Sequence, residues 1–372
     1  MRITFLHRAG EGSLAGGFKV LTDYAEALTR NGHLVTLVSP SRSEPRLGGP
    51  LRRLPLKRRV RGRDDFVRGR SFETVLLAED RPVIAADLPD ADVVVASWFE
   101  CVEWMLALPS SKGAKVHFVQ DYERFGHLPA ARAKAVLDAD VPKICVSSWL
   151  AERVRTEHGA HAVTVVPNGV DTDVFAFTPR PRNAPFRIGF LHSDAERKRV
   201  GLAYEALTAL KTRDVAFEAF AFGKDTPTPE QSSLLTSYHQ APSQDAIPRL
   251  YASADAWLFT SRTEGFGLPI LESMASGTPV VATPAGAAPD LVTERNGALV
   301  EGDAQAVADA AMRLAVMDER DWTDVSTAAR RTAEANDLTS AARGFEDALT
   351  AIVRSADRLE ATIATTGGRE RA

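Results

Sequence analysis

The sequence predicts an α/β protein of two domains, each built on a parallel β-sheet. The chain has 372 residues, which suggests two domains at roughly 150 residues per domain. Its apolar content of 44% is enough to fill two cores. Apolar runs of strand length alternate with segments of helical periodicity from residue 2 onward. Such alternation is typical of βαβ units, whose strands pair in parallel.

The apolar pattern also limits the cellular location and the chemistry of the cysteines. No apolar run approaches the roughly 20 residues that a membrane-spanning helix needs. Met1–His7 reads directly as a strand without a signal peptide, so we expect a cytoplasmic protein. Cys101 and Cys145 lie in apolar segments without metal-ligand spacing, which predicts buried free thiols and no metal site.

The first strand, residues 2–7, leads into a glycine-rich loop and then a helix from Phe18, followed by a strand at 33–39. Glycines in this place invite a dinucleotide-binding oxidoreductase as an alternative. The fingerprint of that class fails, however, because Ala15 stands near the place of its third glycine. Ser39 also ends the second strand where that class has an acidic residue.

Four further strands complete the predicted sheet of the first domain. Ligands of parallel sheets bind at the carboxyl ends of the strands, which places Ser97, Gln120 and Asp121 at the ligand edge. His117, inside a strand, is expected to be a packed core histidine. The four strands are predicted at Ala91–Ser97, Ala114–Val119, Pro142–Val146 and Val163–Val166.

Residues 41–70 are rich in Arg, Pro and Gly and read as a long loop. Within 46–70, ten Lys and Arg residues stand against two Asp, although the whole chain has a net charge of −4. One interpretation is a solvated basic surface. The other is a patch that attracts a phosphate-bearing acceptor or an anionic membrane. Nucleic acid is disfavoured as a partner, because Phe66 is the segment's single aromatic residue for base stacking.

The richest chemistry lies in a strand, turn and helix at residues 256–275. Pro269 is predicted to begin the helix and Glu272 to lie in its first turn. The amides of Gly265–Leu268 and the positive end of the helix would face a phosphate. Glu264 and Glu272 flank this turn and would repel phosphate, so hydroxyl groups are their expected partners. A diphosphate with polyols at both ends is a nucleotide sugar.

The stretch Glu264-Gly-Phe-Gly-Leu-Pro-Ile-Leu-Glu272 resembles the signature of the retaining glycosyltransferases of family 4. Val166–Asp171 resembles a second signature of that family, with Asn168-Gly169 predicted to form a tight turn at positive φ. The alternative for the first stretch is an ordinary helix start with surface glutamates. The resemblance implies the GT-B fold: two Rossmann-like β/α/β domains facing a deep cleft, with a C-terminal helix that crosses back to the N-terminal domain.

The resemblance also implies domain limits. We expect an acceptor-side domain at 1–175, a nucleotide-sugar-binding domain at 176–345, and a crossover helix with a frayed tail at 346–372. The Pro-rich run at 178–185 is read as the interdomain linker.

Site residues follow from the resemblance position by position. Glu264 is expected to accept hydrogen bonds from the donor sugar and Glu272 from the ribose, while Lys198 holds the departing diphosphate. His192 stands where the family has an arginine, so Arg197 or Arg199 is expected to supply the charge. Gln120-Asp121 replaces a His-Asp pair of the family. The predicted catalytic residues are Glu264, Lys198, Gln120 and Asp121, and the predicted donor-binding residues are Gly16, Gly17, His192, Arg197, Gly265, Phe266, Gly267, Leu268 and Glu272.

The implied activity is transfer of a hexosyl or deoxyhexosyl group from a nucleoside-diphosphate sugar to an acceptor hydroxyl, with retention of anomeric configuration. We expect no cofactor and no metal, and an acceptor that is a glycan, a lipid-linked glycan or a small molecule. The pathway would be polysaccharide, glycolipid or natural-product glycoside biosynthesis. The protein could also contact the inner membrane face through 46–70. A nucleotide-sugar epimerase and a non-catalytic nucleotide-sugar binding protein are the alternatives.

The basic segment generates a first prediction. If it recruits an anionic acceptor or membrane, changing Arg52, Arg53, Lys57, Arg58 and Arg59 to Ser should raise the acceptor KM and weaken its salt dependence. Donor affinity should stay the same. Acceptor kinetics measured from low to high salt check this, and unchanged kinetics would assign the segment to a solvated surface.

Overall fold

A computed structural model describes residues 1–8, 16–40, 69–77, 79–123, 128–213 and 216–367, with side chains up to residue 358. Nearly all of the basic segment 46–70 lies outside these residues, so its role stays a prediction. The chain divides into two compact units. Unit 1 comprises Met1–Val146, Ala151–Val166 and Ala342–Ala372, and unit 2 comprises Ser147–Leu150 and Pro167–Ala341.

Among the described residues, unit 1 contains a seven-stranded parallel sheet with the order β3-β2-β1-β4-β5-β6-β7. β4 is buried along its whole length, as expected for a parallel sheet that is covered on both faces. The strands are β1 Arg2–Leu6, β2 Leu34–Pro40, β3 Glu73–Leu77, β4 Val93–Ala96, β5 Ala114–Val119, β6 Lys143–Cys145 and β7 Val163–Val165. The helices that follow them are α1 Gly16–Arg30, α2 Phe99–Leu106, α3 Ala130–Asp138 and α4 Ser148–His158.

Unit 2 contains a six-stranded parallel sheet with the order β10-β9-β8-β11-β12-β13. Its strands are β8 Phe186–Leu191, β9 Phe217–Gly223, β10 Ser237–Gln240, β11 Ala256–Phe259, β12 Val280–Ala282 and β13 Gly297–Leu299. The helices are α5 Val200–Lys211, α6 Pro229–Ser232, α7 Ile247–Ala252, α8 Leu268–Ala275, α9 Ala288–Leu291, α10 Ala304–Val316, α11 Glu319–Ala335 and α12 Leu338–Gly367.

Both sheets have the strand order of the doubly wound Rossmann fold, so the predicted fold class is confirmed for each unit. In unit 1, β2 and β3 are added on one side of β1, and the strands from β4 onward are added on its other side. In unit 2 the order changes sides in the same way between β8 and β11. Crevices for ligands form at such switch points, outside the carboxyl ends of the strands. In unit 2 the loops after β8 and β11 therefore start side by side.

The last helix crosses back to unit 1, as predicted. Helix α12 begins at Leu338, and its residues from Ala342 onward belong to unit 1. Phe345 is fully buried, with its ring centroid 4.8 Å from that of Tyr24 and 5.0 Å from that of Phe118. The backbone stays helical to Gly367, so the helix continues into the tail that the sequence predicts to fray. Within the described part of the chain, every helix is too short or too polar to cross a bilayer.

Predictions for three core residues of unit 1 are confirmed. Cys101 and Cys145 are free and buried, and burial raises the pKa of Cys145 to about 12. His117 is buried within β5, and burial, together with the charge of Lys143, lowers its pKa to about 3. His117 is therefore neutral and packed, as predicted.

The prediction of a tight turn at positive φ for Asn168-Gly169 is wrong, since neither residue has a positive φ. Glycine is needed there for a different reason. A Cβ at Gly169 would lie 2.5 Å from the carbonyl oxygen of Asp337, within unit 2. The strand-like bridge between Val170 and Asp337 brings the two backbones this close.

The run 178–185, read as a linker from its prolines, is fastened to unit 2 through Asp255, which is fully buried. Arg180 Nη1 lies 2.7 Å from Asp255 Oδ1, and the guanidinium lies 5.3 Å from the centroid of the Trp322 ring. The backbone amides of Asn183 and Arg187 also donate to the Asp255 carboxylate. One buried carboxylate thus holds the segment in place.

Removing the Asp255 carboxylate should destabilise unit 2. Asp255→Ala leaves a partly buried guanidinium and two backbone amides without their acceptor, so the free energy of unfolding should fall by about 3 kcal/mol. Urea unfolding checks this. Asp90→Ala, which removes the exposed partner of Lys112, is the matched control and should leave the unfolding midpoint nearly unchanged.

Candidate functional site

The turn between β11 and α8 is built around Gly267, which has φ 98° and precedes the first residue of the helix. A Cβ at this position would lie 2.8 Å from Cζ of Phe259, so only glycine fits. The strand, turn and helix predicted here are confirmed. The helix begins at Leu268 rather than at Pro269, and Glu272 therefore lies in its second turn instead of its first.

A second loop, Ala285–Ala287, packs against the turn. The amide of Ala287 donates to the carbonyl of Phe266 at 2.8 Å. Gly286 has φ 61°, and a Cβ there would lie 2.3 Å from the Phe266 oxygen and 2.9 Å from Cβ of Glu264. The close approach of Gly286 to the turn is not predicted by the sequence.

The centre of the site is an ion cluster around Glu264, whose exposed fraction is 6%. Lys198 Nζ lies 2.5 Å from Oε1, and Arg197 Nη1 lies 2.9 Å from Oε2. The hydroxyl of Ser261 donates to Oε1 at 2.7 Å. The structure thus brings together three of the predicted site residues, and Ser261 is a partner that the sequence did not reveal.

Electrostatics keep Glu264 ionised. Burial raises the pKa of its carboxyl group, but the charges of Lys198 and Arg197 and the hydrogen bonds from Lys198 and Ser261 outweigh burial. The resulting pKa lies below its ordinary value. A carboxylate that is charged at neutral pH is suited to accepting hydrogen bonds from hydroxyl groups. Among the described residues, Oε2 accepts one hydrogen bond, from Arg197, and so has a lone pair left for such a group.

The cations reach Glu264 because the loop after β8 is tied to the loop after β11. The amide of Arg262 donates to the carbonyl of Arg197 at 2.7 Å. The hydroxyl of Thr260 lies 3.3 Å from the carbonyl oxygen of Lys198. Arg199 instead turns away and donates to the carbonyl of Gly302 at 2.5 Å. Of the two arginines offered by the sequence, Arg197 is the one at Glu264.

His192 does not replace the missing arginine as a cation. Its exposed fraction is 1%, and its Nδ1 lies 3.0 Å from the hydroxyl of Tyr204. Burial lowers its pKa, although Asp194 and Asp225 oppose this. The imidazole is therefore neutral at pH 7, and a donor contact through His192 stays a prediction.

Glu272 is oriented by a residue that the sequence did not single out. The hydroxyl of Tyr251, on α7, donates to Glu272 Oε2 at 3.0 Å. Tyr251 is buried, and burial together with the Glu272 charge raises its pKa well above the ordinary value, so it stays a hydrogen-bond donor. No motif in the sequence marks Tyr251, because the contact depends on how α7 packs against α8.

In unit 1 the structure groups the residues predicted for the ligand edge. The side-chain Nε2 of Gln120 donates to the Ser97 hydroxyl at 2.8 Å. A Cβ at Gly17 would lie 3.4 Å from Gln120 Oε1, so the glycine at the start of α1 adjoins this side chain. Asp121 Oδ1 accepts a hydrogen bond from the Tyr122 amide at 2.8 Å. Gly16 is the first residue of α1.

Known families and structures resemble both units. Residues 185–316 match the family model "Glycosyl transferases group 1", and residues 15–174 match the model "Glycosyltransferase Family 4". The MMP alpha-(1->4)-mannosyltransferase of Mycolicibacterium hassiacum is 33% identical over 163 residues, which cover 40% of this chain and 38% of the relative.

A second relative is a GDP-mannose-dependent alpha-(1-6)-phosphatidylinositol dimannoside mannosyltransferase of Mycobacterium tuberculosis. It is 28% identical over 219 residues, which cover 53% of this chain and 54% of the relative. The chain thus matches about two fifths to one half of the length of these relatives. The crystal structure of Anabaena Alr3699/HepE with UDP and glucose has a TM-score of 0.69 at 19% identity, covering 94% of this chain and 100% of that one.

The two Rossmann-like units and the last helix have the GT-B fold. With both family models matched in succession along the chain, this protein belongs to the family 4 glycosyltransferases.

The ion cluster makes the stability of unit 2 dependent on pH. Because the folded-state pKa of Glu264 is lowered, its stabilising contribution is complete above its unfolded-state pKa of about 4.5 and is lost as the pH falls through the folded-state value. Glu264→Gln should therefore reduce the loss of stability on acidification below pH 4.5. Urea midpoints measured across this range check it, and Glu334→Gln, in an exposed pair with Arg330, should leave the acid dependence unchanged.

Proposed function

We propose that this protein transfers a hexosyl or deoxyhexosyl group from a nucleoside-diphosphate sugar to an acceptor hydroxyl, with retention of configuration at the anomeric carbon. The observation that carries the proposal is the buried Glu264 carboxylate between Lys198 and Arg197, next to the amides of Gly265–Leu268. Cations and helix amides suit a diphosphate, while the carboxylate suits sugar hydroxyls. Membership of family 4 supports the same reaction.

The chemistry needs little more than electrostatic support and orientation. The bond from the anomeric carbon to the donor phosphate oxygen breaks, and a bond from the acceptor oxygen to that carbon forms on the same face. The departing phosphate oxygen takes the proton of the acceptor hydroxyl. Lys198, Arg197 and the helix amides stabilise the negative charge that develops on the diphosphate.

Glu264 is proposed to position the donor sugar and not to act as a nucleophile that forms a covalent bond to it. A carboxylate nucleophile, as in many retaining glycosidases, must present an oxygen lone pair to the anomeric carbon. Here Oε1 accepts hydrogen bonds from Lys198 and Ser261, and Oε2 accepts one from Arg197. These donors lower the nucleophilicity of both oxygens.

Glu272 is proposed to accept hydrogen bonds from the ribose. Tyr251 fixes one of its carboxylate oxygens, so the side chain is held in a defined orientation at the second turn of α8. We propose no metal and no cofactor, because two cations and the start of a helix are available for the diphosphate charge. The acceptor is proposed to be a glycan, a lipid-linked glycan or a small molecule, with a peripheral membrane contact through 46–70.

A screen for transfer tests the proposal directly. UDP, GDP, dTDP and ADP are compared as ligands by thermal shift, and the matching donor sugars are then offered with acceptors in the presence of EDTA. NMR of the product should show the donor's anomeric configuration. Donor epimerised in the absence of acceptor would support an epimerase, and an inverted product or an absolute need for Mn²⁺ would contradict the mechanism.

The two glutamates should respond differently to substitution. Glu272→Gln should weaken binding of the nucleoside diphosphate by about 1.5–3 kcal/mol, the typical loss for a hydrogen bond to a charged group. Glu264→Gln should lower kcat and leave binding of the bare nucleoside diphosphate nearly intact. Calorimetry and single-turnover kinetics measure the two effects.

Tyr251→Phe is a matched variant for the first effect. It keeps the Glu272 charge but removes the donor that orients it, so it should weaken nucleotide binding less than Glu272→Gln does. Equal kcat loss in the Glu264→Gln and Glu272→Gln variants would contradict the division of roles. A glycosylated Glu264 trapped and seen by mass spectrometry would sink the non-covalent mechanism.

A further inference from the structure

A cluster of polar side chains in unit 1 lies directly beside the predicted site residues Gln120 and Asp121, and none of the roles above uses it. Its centre is Tyr122. The hydroxyl of Tyr122 lies 2.5 Å from Glu157 Oε2 and 3.0 Å from His158 Nε2. His158 Nδ1 in turn lies 2.7 Å from Asp138 Oδ1. Three elements meet here: the segment after β5, the end of α3 and the end of α4.

The cluster has a buried histidine at its centre and partly exposed charged side chains around it. The His158 side chain is only 2% exposed. The guanidinium of Arg153 lies 4.6 Å from the centroid of the Tyr122 ring and is paired with Glu157 at 2.5 Å. Asp138 is also paired with Lys134, at 2.6 Å. His158 is the last residue of α4.

Counting protons shows how the cluster is connected. Tyr122 has one hydroxyl proton and two close partners. Bonds to Lys134 and His158 lower the pKa of Asp138, and bonds to Tyr122 and Arg153 lower that of Glu157, so both carboxylates accept hydrogen bonds. If Tyr122 donates to Glu157, His158 must donate from Nε2 to Tyr122 and from Nδ1 to Asp138. In this arrangement both ring nitrogens of His158 hold a neighbour, Tyr122 on one side and Asp138 on the other.

The same tyrosine is tied to the site by its backbone. The Tyr122 amide donates to the Asp121 carboxylate at 2.8 Å, while its hydroxyl and ring are held by α4. Holding both ends of Tyr122 fixes the direction of the Asp121 side chain. Glu123 continues the anchoring on the other side, because it is buried and accepts a hydrogen bond from the Phe99 amide at 2.7 Å.

We propose that Asp138, His158 and Tyr122 form a positioning network that holds Gln120-Asp121 in the orientation needed to bind hydroxyl groups of a sugar substrate. The network members touch no substrate themselves. The inference rests on the proposed function for the role of Gln120-Asp121, but the network itself is defined by contacts within unit 1.

Two variants test the network, with a control on the same carboxylate. Tyr122→Phe removes the shared hydroxyl, and His158→Gln removes the doubly donating ring. Lys134→Gln removes only the exposed partner of Asp138 and should behave as wild type. Hydrogen exchange of peptides covering residues 118–123 should be faster in the first two variants and unchanged in the third.

Kinetics give the functional arm. In Tyr122→Phe and His158→Gln, kcat/KM for the acceptor should fall about tenfold, the usual effect of losing one charge-assisted hydrogen bond. The affinity for the bare nucleoside diphosphate should not change, because its proposed ligands lie in unit 2.

The outcomes separate this inference from the proposed function. Unchanged exchange at 118–123 in both variants would overturn the network. Faster exchange with wild-type acceptor kinetics would overturn its role in positioning. A wild-type protein that transfers no sugar would sink the proposed function, while the exchange measurement would still decide whether the network holds the segment.

Discussion

A buried carboxylate needs positive charge and hydrogen-bond donors close by, and this requirement shapes the site in unit 2. Glu264 satisfies it with Lys198, Arg197 and Ser261, which come from the loops after β8 and β11. Without these partners, burial would raise the pKa of the carboxyl group and favour its neutral form. The charged form is the one that can accept hydrogen bonds from a sugar, so the ion cluster and the proposed chemistry depend on the same contacts.

Close approach of backbones makes the cluster possible. At Gly267 a side chain would collide with Phe259, and at Gly286 it would collide with the backbone of Phe266. Both glycines also have positive φ, which other residues adopt at a cost. The turn is therefore compact, and its amides and the start of α8 are proposed to face the same diphosphate as the cations. Tyr251, which orients Glu272, completes this arrangement from the side of α7.

At the predicted ligand edge of unit 1, hydrogen bonds from neighbouring groups hold the polar side chains. Gln120 is bonded to Ser97 and lies against Gly17, and Asp121 is engaged by the Tyr122 amide. Holding these side chains in one orientation favours the binding of hydroxyl groups. The network through Tyr122 and His158 extends this orientation to α3 and α4. The stacking of Phe345 on Tyr24 adds α12 to the same unit and covers the sheet.

The sequence by itself determined the periodic elements, both Rossmann-like halves and the strand, turn and helix around Glu264, because these depend on local patterns of apolar residues and glycines. It also named Lys198 and Arg197, through a family resemblance that assigned them to the donor diphosphate and not to Glu264. The tertiary structure decided the remaining contacts: Arg197 rather than Arg199 at the carboxylate, neutral His192 in the core, Tyr251 on Glu272, and Gly169 beside Asp337. The physical reason is the strand order. The switch between β8 and β11 places side by side two loops that are more than sixty residues apart in the chain, and no local pattern records which of their side chains will meet.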